Sequence, residues 1–363
     1  MKLQVTQENL NRALAAVARV ANSRGTLPIL ANVLIKTANN RLSVSATNLD
    51  IAITHFIGAK VSQEGSITIP ARLMQDYISS LPSGVIDLEL NENKLNIKTD
   101  KYNSVINGIV ADDFPVMPAI SDGTKWKIQT KVFKKALQQV AFAASSDESR
   151  PVLTGIYIHT EKDKLYLAST DSYRLAEKDL GKNSNQVSIL VPASAMNDLL
   201  RVLGDDESEI EVIHNDQQAL FKTGDIELVT RLIDGQYPDY QKLIPSSFSN
   251  TATLKKVDLT NVAKVSSLFA RESAGSVTIE LNSDSNQLEI KSIASQLGEN
   301  TATADAKIKG GDSITLNSKF LIDALGVIEG ETVTFGFNGK LEPTILYSPD
   351  NKDYKHIIMP LKS

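Results

Sequence analysis

At 363 residues the chain is longer than one domain usually runs and is sized for two or three, each able to bury a core. Its 42% hydrophobic and 22% charged residues exclude a disordered chain, and zero cysteines exclude disulfides, thiolate metal sites and cysteine nucleophiles. The formal charge of −5 argues against a uniformly phosphate-binding surface but leaves the distribution of charge open.

From the N-terminus, Met1-Lys-Leu-Gln-Val-Thr-Gln-Glu lacks the apolar core of a signal peptide, and no run of about 18 apolar residues follows. A cytoplasmic protein with no membrane span is expected. Residues 7–23 place Leu10, Leu14, Val17 and Ala21 on one helical face, with Arg24 just beyond. Asn39-Asn40 signals a turn. The first third divides near residue 61. Ile69-Pro-Ala-Arg-Leu-Met-Gln-Asp-Tyr-Ile then reads as a short helix after a strand, its proline in the first turn where a donor is dispensable. Val85-Ile-Asp-Leu-Glu-Leu alternates like a half-buried antiparallel strand, Asn107-Gly108 signals another turn, and Phe114-Pro115 closes the segment. The order strand, helix, three strands occurs twice.

The same series returns twice more at a period of roughly 120 residues, far above solenoid repeats, so whole domains are duplicated in tandem. Residues 131–149 carry Phe133, Leu137, Val140 and Ala144, then Arg150; residues 257–270 carry Leu259, Val262, Ser266 and Phe269, then Arg271. Val191-Pro-Ala-Ser-Ala-Met-Asn-Asp-Leu-Leu and Leu316-Asn-Ser-Lys-Phe-Leu-Ile-Asp-Ala-Leu repeat the short helix. Glu209-Ile-Glu-Val-Ile and Val333-Thr-Phe-Gly-Phe repeat the strand, Asn338-Gly339 a turn, and Tyr237-Pro238 and Met359-Pro360 the closing pair. The expected fold is α+β: three copies of a domain with two helices and roughly eight strands. Their bounds are residues 1–121, 125–246 and 251–363, with linkers near 112–125 and 235–252.

Positive charge gathers on the longer helices. The first bears Arg12, Arg19 and Arg24 against Glu8; the second Lys131, Lys134, Lys135 and Arg150 against Asp147 and Glu148; the third Lys255, Lys256, Lys264 and Arg271 against Asp258. The short helices balance, with Arg72 and Asp76, Arg201 and Asp198, and Lys319 and Asp323. The remainder is therefore more acidic than the whole. Such a chain can hold a polyanion on one face and repel it elsewhere, as a DNA-encircling ring requires. Contacts limited to phosphates carry no sequence information and allow translocation. Solvated helix faces, and an arginine favoured by the macrodipole after a helix, give the same pattern without DNA.

Four motifs in order carry a resemblance over all 363 residues: Arg24-Gly-Thr-Leu-Pro-Ile-Leu-Ala-Asn-Val, Ala168-Ser-Thr-Asp-Ser-Tyr-Arg-Leu-Ala, Leu232-Ile-Asp-Gly-Gln-Tyr-Pro-Asp-Tyr and the ending Ile358-Met-Pro-Leu. Together they resemble the beta-subunit family of bacterial DNA polymerase III. The resemblance implies a DNA clamp fold, a head-to-tail homodimer of six domains around duplex DNA, and a processivity subunit with no catalytic residues, cofactor or metal. It implies DNA contacts at Arg24, Arg72, Lys131, Lys134, Arg150 and Arg271. It also implies a cleft that takes peptides of the replicative polymerase alpha subunit, the clamp loader and repair proteins.

The cleft residues carried over are Leu153, Thr170, Ser172, Arg174, Leu175, Pro238, Lys242 and Leu243, with Asn317, Phe320, Pro343, Ile357, Met359, Pro360 and Leu361. An apolar pocket with few polar groups suits a Leu or Phe anchor, and a flexible Met adapts to varied ligands; a packed domain junction would also use these residue types. The protomer interface would join Lys101, Ser104 and Ile106 to Leu268 and Phe269. The chain departs from some relatives in offering Glu299 with few acidic neighbours, in Pro151 and Val152 after Arg150, and in Ala193-Ser194.

Two other readings compete. For an enzyme, His55, His159, His214 and His356 have no ligand spacing, and Gly336-Phe-Asn-Gly-Lys is not a phosphate loop, with its glycines too close and Leu341 where Ser or Thr belongs. Asp112-Asp113 reads as a solvated linker pair. A repeated β-rich scaffold that binds protein but not DNA would share the duplication and the cleft, yet has no need of cationic helices.

Overall fold

A computed structural model describes residues 1–21, 27–117, 119–120, 122–204, 208–294 and 298–361. The first third runs β1 (Lys2–Thr6), α1 (Gln7–Val17), β2 (Asn32–Ala38), β3 (Arg41–Thr47), β4 (Ile51–Gly58), β5 (Lys60–Gln63), β6 (Ser66–Pro70), α2 (Ala71–Ser80), β7 (Val85–Asn91), β8 (Lys94–Lys98) and β9 (Asn103–Asn107). The second runs β10 (Thr124–Gln129), α3 (Thr130–Val140), β11 (Gly155–Glu161), β12 (Lys164–Thr170), β13 (Arg174–Lys182), β14 (Ser188–Pro192), α4 (Ala193–Val202), β15 (Glu209–His214), β16 (Gln218–Thr223) and β17 (Ile226–Arg231). The third runs β18 (Asn250–Lys255), α5 (Lys256–Phe269), β19 (Ser276–Asn282), β20 (Gln287–Ala294), β21 (Gly298–Asp305), β22 (Lys307–Lys309), β23 (Ser313–Asn317), α6 (Ser318–Val327), β24 (Thr332–Phe337), β25 (Thr344–Tyr347) and β26 (Tyr354–Ile358). Strand, helix, three strands thus occurs twice in each third, and short β5 and β22 are additions at the midpoints of the outer two.

Hydrogen bonds repeat with the order. The N–H at the start of each long helix donates to the segment after the short one: Gln7 to Gly84 O, Thr130 to Ser208 O and Lys256 to Glu331 O, at 2.8, 2.8 and 2.7 Å. A side chain of the long helix then caps the C-terminal end of the short one. Gln7 Nε2 donates to Ile78 O at 2.8 Å, Lys134 Nζ to Leu203 O at 3.0 Å, and Lys256 Nζ to Ile328 O at 2.7 Å. The last carbonyls of a helix lack internal partners and carry its negative end, so a donor, above all a cation, is favoured there. Thr130 is too short to reach that carbonyl, and Lys134 caps it from one turn further along.

The chain divides into two compact units, Met1–Lys134 with Ser194–Leu232, and Lys135–Ala193 with Ile233–Ser363. The first contains two sheets, ordered β5-β1-β7-β8-β9 and β10-β15-β16-β17-β4-β3-β2-β6. Their inner faces bury Leu10, Leu14 and Val17 of α1 with Met74 and Ile78 of α2. The second unit contains the sheets β14-β11-β12-β13-β26-β25-β24-β18-β22 and β21-β20-β19-β23. Here α5 and α6 bury Leu259, Val262, Leu321 and Leu325. In each unit one sheet joins two repeats, through β17–β4 or β26–β13, so compactness follows the sheets.

Several local expectations change. The helix expected over 7–23 ends at Val17, where Val20 N–H bonds back to Val17 O in a tighter turn. The one expected over 131–149 ends at Val140 and tightens into a 3-10 turn at Ala141–Ala143, beyond which Ser145 and Asp147 hold local side-chain turns in place of further helix. Pro70 is the N-cap, one position ahead of the first helical turn. Asn39-Asn40 is a two-residue hairpin with φ of 52° and 58°. Asn107-Gly108 is no hairpin: Gly108 N–H donates to Asn93 O, and a Cβ there would lie 2.5 Å from Thr68 O, so glycine serves a close backbone approach.

Candidate functional site

The site in the second unit grows from the turn that leads into β13. Thr170 Oγ1 donates to Arg174 O and accepts from Ser172 N–H, while Asp171 Oδ1 accepts the N–H groups of Tyr173 and Arg174. Ser172 sits at φ 77°. Beside it, Leu175 pairs with Ile357 across the β13–β26 ladder, and Met359 N–H continues the ladder to Tyr173 O at 2.8 Å. Leu361 N–H then reaches Thr315 O at 2.9 Å. Thr170, Ser172, Arg174 and Leu175 are thereby brought beside Ile357, Met359, Pro360 and Leu361.

Arg174 holds this corner together and is only 9% exposed. Its Nε meets Asp171 Oδ2 at 3.0 Å, Nη1 meets Asp323 Oδ2 at 2.7 Å, and Nη2 donates to Phe142 O at 2.7 Å. The guanidinium lies 5.2 Å from the Phe142 ring centre and 4.6 Å from that of Phe320. Asp323 also receives Lys319 Nζ at 2.7 Å. Burial works against its ionisation, but the hydrogen bonds from Lys319 and Arg174 outweigh that and hold its carboxyl below the usual range. His356 stacks on Phe142 at 5.6 Å and exchanges a 3.0 Å hydrogen bond with Tyr354. Burial first, and then Arg174, push its pKa down to about 3.

The apolar floor is a buried cluster of Ala168, Leu175, Leu190, Tyr237, Tyr240, Ile345 and Ile357. Leu153 and Thr170 are buried in the wall, whereas Pro238 and Ser172 are exposed and Leu243 is 43% exposed. Phe320, Pro343, Met359, Pro360 and Leu361 are half-buried. Lys242 is paired with Asp239 at 2.7 Å. Asn317 serves the local fold, since its Oδ1 caps Lys319 N–H and its Nδ2 donates to Ala274 O. Phe142, Asp323, His356, Tyr237 and Tyr240 belong to the site without having been expected there. A helical pattern cannot flag Phe142, which lies past the end of α3, and Asp323 reads only as the partner of Lys319.

Among the cations, Arg24 lies outside the described residues. Arg72 is exposed, 4.0 Å from Asp76, and Lys131 and Arg271 are exposed. Arg150 is exposed too, but its Nη1 donates to Ser172 Oγ at 2.8 Å, which ties it to the cleft turn. Lys134 is half-buried on the Leu203 carbonyl. Arg201 and Lys319 are in ion pairs within their helices.

At the expected protomer contact, Lys101 is exposed, Ser104 half-buried and Ile106 turned inward at 6% exposure. Val105, between the last two, is 55% exposed, as strand alternation requires. Leu268 is 51% exposed and Phe269 half-buried. β9 and β21 are edge strands of their sheets. Among the described residues no cluster of His, Asp and Glu could hold a metal ion, and no helix is long and apolar enough to cross a membrane.

Three family models match in sequence along the chain. Residues 1–118 match the N-terminal domain of the DNA polymerase III beta subunit, 127–239 its central domain and 241–362 its C-terminal domain. The chain is 31% identical to the beta sliding clamp of Synechocystis sp., covering 100% of this chain and 99% of that protein. To the beta sliding clamp of Bacillus subtilis it is 28% identical, with 100% of both covered. Among solved structures, it is similar to the Bacillus subtilis DNA polymerase sliding clamp at a TM-score of 0.95 and 27% identity, over 100% of this chain and 99% of that one. The beta chain of DNA polymerase III from Streptococcus pneumoniae gives 0.94 and 29%, over 100% of both.

Proposed function

The chain belongs to the DNA polymerase III beta-subunit family, and on that premise we propose that it is a sliding clamp, a non-catalytic ring that encircles duplex DNA and tethers the replicative polymerase. It acts in the cytoplasm as three clamp domains, 1–121, 125–246 and 251–363, in each of two copies. One observation carries the ring. The strand that ends a repeat pairs with the strand that ends the first half of the repeat before it, β17 with β4 and β26 with β13. By that rule β9 and β21 are edges left for each other in neighbouring copies. A head-to-tail contact of this kind forms a ring when it closes. Exposed Val105 and Leu268 supply apolar surface on the two sides.

In this reading the helices line the opening. Arg24, Arg72, Lys131, Arg150 and Arg271 contact phosphates, while Lys134 serves first as a cap. The corner of Thr170, Arg174, Leu175, Ile357 and Met359 receives the apolar anchors of polymerase, clamp loader and repair proteins. Primer extension tests the function: with the loader, the chain should lengthen the products that the replicative polymerase makes in one binding event. Unchanged product length would reject the reading.

A further inference from the structure

The cleft uses only part of the apolar face of its unit. Next to the Ile345–Ile357 pair lies a groove of about 370 Å³, floored by Ile244, Phe248, Ile345 and Tyr347 and rimmed by Lys352 and Lys355. Ile345 belongs to the same buried cluster as Leu175 and Ile357, with Ile244, Phe248 and Tyr347 packed on it, so cleft floor and groove floor are one continuous apolar surface. Tyr347 stands two residues beyond Ile345 on β25, or ~7 Å at the strand rise, which two residues of an extended peptide can span.

The net positive charge of the rim comes from Lys352, because the other lysines at hand are paired. Glu177, buried on β13, holds Lys355 Nζ at 3.0 Å, and Lys178 is taken by Asp353 at 2.8 Å. Lys352 is exposed and, among the described residues, has no carboxylate at ion-pair distance. The geometry points to this groove as an extension of the peptide cleft that takes an acidic stretch flanking the apolar anchor of a partner's binding segment. The inference rests on the cleft reading above. An entering carboxylate meets Lys352 and the outer side of Lys355 over an apolar floor, where charge interactions are stronger than in bulk water. A basic flank meets repulsion. The groove therefore selects among partners that share an anchor.

Fluorescence polarisation on the full chain tests this, with labelled peptides that carry one Leu-Phe anchor flanked on either side by Asp-Asp or by Asn-Asn. On one side the Asp peptide should bind about three- to fivefold more tightly than its Asn counterpart at low salt, and the advantage should shrink as salt rises. Lys352→Gln should remove the advantage and Lys352→Glu reverse it, both with Asn-peptide affinity unchanged; Lys352 is exposed, so neither disturbs the core. Equal affinity of Asp and Asn peptides on both sides, with all of them binding, would overturn the extension and leave the cleft intact. Failure of every peptide to bind would overturn the cleft itself, and the extension with it.

Discussion

Arg174 and Asp323 form a 2.7 Å ion pair between β13 of the second repeat and α6 of the third. Arg174 is buried among Phe142, Phe320 and Asp171, whereas Asp323 is part-buried and keeps Lys319, so removing Arg174 costs mainly the donors that it gives to Asp171 and to Phe142 O. Arg174→Ala should therefore lower stability by about 1–3 kcal/mol, the range for leaving buried acceptors without their donor. Thermal unfolding measures it, and a loss within the error of the wild type would mean that the corner is solvated.

His356 gives the same corner a pH dependence. Its pKa falls from the ordinary 6.5 to about 3 on folding, so below the ordinary value the unfolded state binds the additional proton. Its contribution is complete above pH 6.5 and is lost as pH falls toward 3. Between those limits unfolding should become easier by about 1.4 kcal/mol per pH unit from this group. His356→Phe keeps a ring against Phe142 and should flatten the slope of stability between about pH 4 and 6; an unchanged slope would show that other histidines carry it.

Lys134 and Lys131 are three residues apart on α3 yet should behave differently. Lys134→Met removes a helix cap and should cost about 0.5–1 kcal/mol in denaturant unfolding. Lys131→Met should leave stability unchanged and reduce the salt dependence of the unloaded chain's affinity for linear duplex DNA by about one counterion. The opposite assignment in the two assays would contradict the capping role.

Ile106 and Val105 separate core from interface. Ile106→Ala should destabilise the first unit by about 2–5 kcal/mol. Val105→Asp should leave the fold intact and yield monomers by gel filtration. Dimers at low concentration in the Val105 variant would move the protomer contact away from β9.

The C-terminal segment runs beside the Arg174 corner, with Met359 N–H bonded to Tyr173 O and Leu361 N–H to Thr315 O. Deleting residues 359–363 should abolish binding of anchor peptides without changing dimer mass, since the segment lies outside β9 and β21. Unchanged affinity by fluorescence polarisation would reject the cleft assignment.

Much of the fold is legible in the sequence because the chain repeats its plan three times. Leu10, Phe133 and Leu259 mark one helical face in each copy, and alternation marks β7, β15 and β24. What escapes is non-local or chemically silent. Lys162-Asp163 forms the same hairpin as Asn39-Asn40, with φ of 48° and 60°, but opens on a lysine and has no glycine or asparagine to signal it. The inward direction of Ile106 depends on strand register, and a shift of one residue moves a side chain to the other face. Motif resemblance places Arg174 in the cleft, but its second carboxylate partner, Asp323, lies 149 residues away, so no local pattern reveals that it also braces the junction.

The most direct test of the central claim is retention on nicked circular DNA after loading, compared with the same molecule linearised. A topological ring stays on the circle and slides off the ends of the line, so loss should follow linearisation and be little affected by salt beforehand. Equal loss from both molecules would contradict an encircling clamp.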